Sequence, residues 1–460
     1  MVSTGATTRR SALVLATLAS FLTPFMSSSL NVALPAIGGE FGMDAVMLSW
    51  IPTAYLLAAA MFLVPFGRLA DIHGRKRIFT GGVLLYTAAS LLCALAGSGT
   101  VLIAGRALQG IGGAMMMGVG VAILTAVFPA GERGRVLGIN SAAVYIGLSV
   151  GPFVGGFLTG TVGWHAIFLV NVPLGLLMVL VTRGVRGEWS EPAAAKLDIT
   201  GSVLYSASLT AIMYGFSRLP ELEGAGLVAG GLLGMAGFIW LESRTEHPLL
   251  DVALFRHNRV FALSNLAALI NYSATFAVGF LLSLYLQYVK GFSAREAGLV
   301  LIAQPALMAL CSPYAGRLSD RVEPRIVASG GMGLIVVGLA VLAFLSEGTP
   351  LEVIIGSLVL LGLGFALFAS PNTNAVMSAV DRDRYGVAAG TLATMRLTGQ
   401  MLSLGVAMLL FALFLGRAPI TEGNAGLFLD SVRVAFGLFA ALCLLGVFAS
   451  LSRGRIRATA

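Results

Sequence analysis

Gly67-Arg68-Leu69-Ala70-Asp71-Ile72-His73-Gly74-Arg75-Lys76-Arg77 lies between two apolar runs, at about 47–66 and 78–98. Gly67 lets a neighbouring helix come close, Gly74 permits a tight turn, and the basic run suits anionic lipid headgroups. Asp71 is an acid among bases, placed where it can reach a helix N-terminus or an arginine. A loop of this kind joins two membrane-crossing helices at the bilayer surface.

The rest of the chain agrees. Hydrophobic residues make up 57% and charged residues 11% of 460 positions, with a mean hydropathy of +0.91. A soluble domain has roughly 25% charged residues, so lipid must be the solvent for most of this surface. A hydrocarbon core of about 30 Å takes roughly 20 apolar residues per helix. Stretches of that kind fall at about 12–37, 47–66, 78–98, 101–127, 136–161, 165–182, 199–217, 225–241, 260–289, 297–315, 326–345, 351–370, 387–415 and 432–451, which is fourteen. The first follows Arg9 and Arg10 and is too long for the apolar core of a signal peptide, so it reads as an uncleaved helix. The 58 glycines suit helices that must pack closely in lipid.

The net charge of +8 follows from topology. With the N-terminus in the cytoplasm, only Arg218, Lys290, Arg295, Arg417 and Arg433 fall on the outer face. Arg106 and Arg396 fall inside spans, and the other Lys and Arg lie on the inner face, among them Lys196, Arg382, Arg453, Arg455 and Arg457. The positive-inside rule therefore places both termini in the cytoplasm of a bacterial inner-membrane protein and leaves no need for a nucleic-acid partner. Cys93, Cys311 and Cys443 lie in spans without close-spaced partners, and the four histidines form no cluster. No disulfide, metal site, catalytic set or cofactor is expected.

The chain repeats itself. Pro65-Phe66-Gly67-Arg68-Leu69-Ala70-Asp71 is echoed by Pro313-Tyr314-Ala315-Gly316-Arg317-Leu318-Ser319-Asp320. Both follow the second helix of a six-helix block if spans seven and eight are an insertion. Two related halves around a midplane site are a transporter plan. The expected fold is an all-α polytopic membrane protein: a six-helix bundle over 1–185, a linker and two inserted helices over 186–255, and a six-helix bundle over 256–460. The long polar stretches, 183–198 with Glu188, Glu191, Pro192 and Lys196, and 242–259, fall at the edges of the insertion.

The 67–77 stretch resembles the cytoplasmic signature of the major facilitator superfamily. Leu102-Ile103-Ala104-Gly105-Arg106-Ala107-Leu108-Gln109-Gly110-Ile111-Gly112 looks like its buried-arginine motif, and Gly147, Gly151, Pro152, Gly155 and Gly156 look like its antiporter motif. Gly163-Trp164-His165-Ala166-Ile167-Phe168-Leu169-Val170-Asn171-Val172-Pro173 resembles a stretch typical of the fourteen-helix drug:proton antiporters. Asn31-Val32-Ala33-Leu34-Pro35 and Arg396-Leu397-Thr398-Gly399-Gln400 extend the likeness over nearly the whole chain. The resemblance implies alternating access, export of small amphipathic compounds, and a proton gradient as the energy source.

The residues themselves support a moving, cavity-bearing protein. Gly147, Gly151 and Gly155 make one smooth helical stripe, and Pro152 favours a kink; ordinary small-residue packing is the plain alternative. An arginine near mid-span costs about 3 kcal/mol or more unless paired or hydrated. Arg106, with Gln109, Gly110 and Gly113 on its face, is therefore a functional candidate, as is Arg396 with Gln400 and Ser403; bonding to neighbouring carbonyls is the structural alternative. Gating or coupling falls to Gly67, Asp71, Gly74, Arg75, Arg106, Gly147, Gly151, Pro152, Gly155, Asp320 and Arg396. Where many relatives carry an aspartate on the first helix, this chain has Met26, and none of its 21 acids falls in mid-span. Asp198, Glu242, Glu296 and Glu352 sit at helix ends, so the proton carrier stays open. Without a buried acid, neutral, zwitterionic, monocationic or anionic amphipaths are the expected substrates. The candidate cavity is aromatic and Met-rich: Phe21, Phe25, Met26, Tyr55, Met117, Tyr145, Tyr272, Phe276 and Phe368, with Ser27, Asn31, Gln109, Asn265, Asn271 and Gln400 as polar points. Each aromatic is equally open to a packing role. A substrate-specific importer or facilitator, or a non-transporting membrane sensor, is the alternative function, and no obligate protein partner is evident.

Overall fold

The structure, a computed structural model, describes residues 5–190, 198–245, 248–381 and 384–454. Glu191, Pro192, Lys196, Arg382, Arg455 and Arg457 lie outside those residues, and so does the side chain of Asp320. Among the described residues, fourteen helices are long and apolar enough to cross a bilayer. They are α1 Thr7–Phe41, α2 Ala45–His73, α3 Arg75–Ala94, α4 Gly99–Val127, α5 Gly131–Thr161, α6 His165–Thr182, α7 Ile199–Arg218, α8 Leu222–Glu242, α9 Arg259–Val289, α10 Ala294–Ser319, α11 Pro324–Leu342, α12 Leu351–Ser378, α13 Tyr385–Phe414 and α14 Ala425–Ser452. Each coincides with an expected span. Most run several residues past the apolar stretch, because the backbone ladder continues into the polar surface layer until a cap ends it.

Several starts are set by side-chain caps. Asp44 accepts from Met47 N at 2.7 Å before α2, Ser98 from Val101 N at 3.3 Å before α4, and Asn258 from Phe261 N at 2.9 Å before α9. Ser293 and Glu296 form a reciprocal capping box at α10. Three helices are interrupted among the described residues: α9 turns at Phe276, and α6 and α10 turn at Val170 and Ile302. Pro173 and Pro305 follow three residues later and cannot donate to Leu169 O and Leu301 O, which releases the ladder there.

One bundle packs α1 on α5 and α2 and α3 on α4; the other packs α9 on α13 and α14, and α12 on α10 and α11. The inserted α7 and α8 lie against each other, and α7 touches α2 of the first bundle and α13 of the second. An even number of crossings brings both chain ends to one face.

The halves close on each other toward the opposite face. Ser283 Oγ donates to Asn31 O at 2.7 Å, Gln287 Nε2 to Val32 O at 3.1 Å, and Ala45 N to Ala418 O at 3.3 Å. There the end of α5 meets the start of α10. A Cβ on Gly156 would lie 2.5 Å from Ala294 O, and one on Gly298 would strike Pro152 O. Toward the chain-end face α5 has room instead: nothing lies within 4 Å of a Cβ built at Gly131, Gly134 or Gly138.

One basic residue departs from the topological reading. Arg453, expected as a surface charge, is only 1% exposed. Its guanidinium donates to Asn372 Oδ1 at 2.8 Å and Ser264 Oγ at 3.2 Å, tying the end of α14 to α9 and α12. Burial pushes its pKa down to about 10, with Glu323 opposing and Arg325 reinforcing the shift. Arg453 is still a cation at neutral pH, held inside the second bundle.

Candidate functional site

The 67–77 stretch, which ends α2 and opens α3 with only Gly74 between them, is fastened within its own half. Asp71 Oδ1 takes Arg75 Nε and a terminal guanidinium nitrogen, each at 3.0 Å. Glu188, from the segment after α6, accepts Lys76 N at 2.8 Å. Lys76 Nζ donates to Val185 O at 2.6 Å, and Arg75 N to Trp189 O at 3.0 Å. Gly74 has φ +108°, a region that side chains other than glycine's rarely enter, and its Cβ position lies 2.5 Å from the Glu188 carboxyl carbon. Gly67, by contrast, faces open space, so the close helix approach expected there is absent in this conformation.

Gly74→Ala therefore meets both backbone strain and a displaced Glu188. Each strained residue costs roughly 1–3 kcal/mol, and the expected result is a clear drop in melting temperature. Tryptophan fluorescence reports it directly, since Trp189 sits on the latch.

The α5 stripe is built as the spacing predicts, and its partner is α1. Gly147, Gly151 and Gly155 lie against Phe21 O, Ser28 and Ser29, with Ser29 Oγ donating to Gly151 O at 2.9 Å. α5 stays helical through Pro152. The contact between halves uses the adjoining face, Pro152 and Gly156 against Ala294 and Gly298. The sequence reading left out Gly298. Its small-residue signal was present but had no partner assigned.

Arg106 is 1% exposed. Its Nε donates to Ile51 O at 3.3 Å and its NH1 to Gln109 Oε1, while Gln109 Nε2 donates to Ser90 Oγ at 2.8 Å. The guanidinium lies 4.5 Å from the centre of the Tyr55 ring, and Gly113 leaves room for the Tyr55 hydroxyl. The knot joins α2, α3 and α4. No carboxylate pairs with Arg106 among the described residues; the titratable groups acting on it are Cys93, Tyr86 and Tyr55.

The second bundle has a looser counterpart. Arg396 is half-buried; one guanidinium nitrogen donates to Thr373 Oγ1 at 2.6 Å, and the group lies 5.7 Å from the Tyr272 ring centre. Arg396 has no carboxylate partner among the described residues. Tyr272 packs edge-on to Phe365 at 5.3 Å, and Tyr145 of the first bundle is close enough to act on it electrostatically. That pairing spans the space between the halves.

The candidate cavity residues divide by exposure. Ser27, Asn31, Tyr145, Tyr272, Phe276 and Gln400, on α1, α5, α9 and α13, are half-buried, and Tyr272 lies against Arg396. Phe25, Met26, Tyr55, Gln109, Asn265, Asn271 and Phe368 are buried. Met26 accepts Asn171 Nδ2 at 3.1 Å and Asn265 donates to Phe261 O at 2.9 Å, so both point into a bundle. Met117 is 39% exposed. A separate apolar recess of about 640 Å³ lies between α2 and the inserted pair, bordered by Met61, Phe62, Pro65, Val203, Thr210 and Tyr214. It shares no residue with the expected lining.

The family model described as Major Facilitator Superfamily matches residues 16–243 and 264–458. The multidrug resistance protein Stp of Mycobacterium tuberculosis is 32% identical over 382 residues, 82% of this chain and 71% of that protein. The cephamycin export protein CmcT of Amycolatopsis lactamdurans is 35% identical over 413 residues, 87% and 84% of the two chains. The riboflavin transporter RibZ of Clostridioides difficile is 29% identical over 443 residues, 95% of each. In fold, the chain is similar to a bacterial homologue of the human lysosomal transporter Spinster in an inward-facing, unoccupied conformation. The TM-score is 0.70 at 16% identity, covering 98% of this chain and 97% of that one.

Proposed function

The chain belongs to the Major Facilitator Superfamily, as a fourteen-helix membrane transporter of small molecules, and on that premise we propose that it exports small amphipathic compounds by proton antiport from the cytoplasm of a bacterial cell. Both chain ends are cytoplasmic in this reading, and the described conformation is open inward. The observation that carries it is the half-buried aromatic set Tyr145, Tyr272 and Phe276, with the Arg396 guanidinium 5.7 Å from the Tyr272 ring centre and without a carboxylate partner among the described residues. Such a surface suits a flat apolar body with a neutral or acidic polar end, because a cation unpaired in a low-dielectric cleft favours an acceptor group. The export reading is supported by the relatives named as a multidrug resistance protein and a cephamycin export protein. Substrate and proton act by binding the inward-open and outward-open states unequally. The Asp71–Arg75 pair and the basic run stabilise one of those states at the cytoplasmic surface.

Purified protein in proteoliposomes under an imposed pH gradient, with a panel of neutral and acidic lipophilic dyes, tests the proposal. Gradient-dependent dye movement that a protonophore abolishes is the expected result. Asp71→Asn should insert at wild-type levels and lose that movement. Movement that persists with the protonophore would make the protein a facilitator, and no movement of any compound under any ion gradient would remove the transport mechanism proposed.

A further inference from the structure

Two carboxyl groups meet where the inserted helices begin and end. Asp198 caps α7, its Oδ1 accepting Gly201 N at 2.8 Å. Glu242 ends α8, is 2% exposed, and accepts Leu250 N on its Oε2 at 2.8 Å. That leaves Asp198 Oδ2 and Glu242 Oε1, both buried and neither facing a protein donor. They point at the same spot: a side chain on Gly201 would collide with both oxygens, and the two carboxyls lie within hydrogen-bonding reach of each other.

Two ionised carboxylates cannot hydrogen-bond, and like charges this close in a buried setting do not both ionise. Among the described residues no cation pairs with either carboxyl, and Lys196 lies outside them. Just past the end of α8, Arg244 lies over the Trp240 ring at 4.4 Å. In the following segment Asp251 is engaged by Arg384, at 3.6 Å. Among the described residues, Asp198 is the charged group acting on Glu242, and the other partners are the backbone amides of Leu249 and Leu250. Glu246 and His247 lie outside those residues.

We propose that Asp198 and Glu242 share a single proton, which makes the base of the inserted pair a proton-binding site. The titration belongs to the pair rather than to either residue. The proton holds the first turn of α7 to the last turn of α8 and, through Leu250, to the strap that reaches Asp251, Arg384 and the start of α13. Loss of the proton leaves two anions in contact and loosens the inserted pair from the second bundle.

Infrared spectroscopy and thermal melting test this without transport, so failure of the export reading would leave the result intact. At about pH 6, where ordinary carboxylates are ionised, the wild-type protein is expected to show a protonated-carboxyl C=O stretch that shifts in D2O. Glu242→Gln and Asp198→Asn should each lack it. The wild-type melting temperature should fall as pH is raised through neutrality, because the shared proton stabilises only while it is bound. In Glu242→Gln the curve should be flat, since the amide donates its own N–H to Asp198 at every pH. A wild-type protein without the band overturns the proposal even if no variant folds, and so does a band that survives in both variants. Stabilisation at that pH by sodium or potassium ions in place of protons would overturn it in favour of a cation site.

Discussion

Gly298→Leu is expected to abolish gradient-driven transport while the protein still folds and inserts. A Cβ on Gly298 would strike Pro152 O, with Pro152 C at 3.0 Å behind it. Both are main-chain atoms, so no rotamer change relieves the contact and α5 must separate from α10. Overpacking a tight interface costs roughly 1–3 kcal/mol, and here the cost falls on the conformation in which the two halves touch. At about 1.4 kcal/mol per factor of ten, the population moves away from the described conformation by roughly 10- to 100-fold. The readout is labelling of Asn31→Cys by an impermeant maleimide from the outer side, in a background lacking Cys93, Cys311 and Cys443. Asn31 O is covered by Ser283 in this conformation, so wild-type labelling should be slow and Gly298→Leu labelling at least about tenfold faster. Gly138→Leu, placed where nothing lies within 4 Å, should change neither transport nor labelling. Unchanged labelling in Gly298→Leu would mean that this contact does not close the outer face.

The contrast between Gly298 and Gly138 shows how far the sequence could be read. The spans were legible because a bilayer imposes a length and a polarity that soluble packing does not, and the Arg106 and α5 motifs lie on the helices where they were placed. The direction each side chain faces was less legible. A helix in a six-helix bundle has a lipid face, a neighbour face and a cavity face, and a 3.6-residue period cannot separate the last two. Phe25 and Met26 thus read as cavity lining but pack into the first bundle against α5 and α6, while Ser27 and Asn31 on the same helix stay half-buried. Arg453 read as one of several terminal basic residues, and only tertiary packing against Ser264 and Asn372 sets it apart. Glu188 and Glu242 are edge acids by sequence, and their partners, Lys76 N and Asp198, come from chain segments whose proximity no local pattern reveals.

Arg106→Met is expected to fold and to lose transport, whereas Arg106→Ala is expected to lose both. The arginine sits on competing terms. An unpaired cation inside the membrane costs about 3 kcal/mol or more. Against that stand two hydrogen bonds from a charged donor, each about 1.5–3 kcal/mol, and the Tyr55 ring, about 2 kcal/mol when desolvated. The gains come to about 5–8 kcal/mol and exceed the burial cost, so removing the charge while keeping the bulk loses at most the difference, about 2–5 kcal/mol, including the Gln109 Oε1 left without its donor. Alanine adds a cavity beneath Tyr55 and between α2, α3 and α4, where large-to-small changes cost about 2–5 kcal/mol more. Melting temperatures in detergent should therefore rank wild type, then Arg106→Met, then Arg106→Ala with the largest drop. Transport separates packing from charge. A purely structural arginine predicts near-normal flux in the methionine variant, scaled to the folded amount. A functional arginine predicts at least a tenfold loss per folded molecule, because Ser90, Gln109 and Ile51 orient a cation that no carboxylate among the described residues neutralises, and its field reaches across the low-dielectric first bundle. Normal flux in well-folded Arg106→Met would reduce Arg106 to a strut.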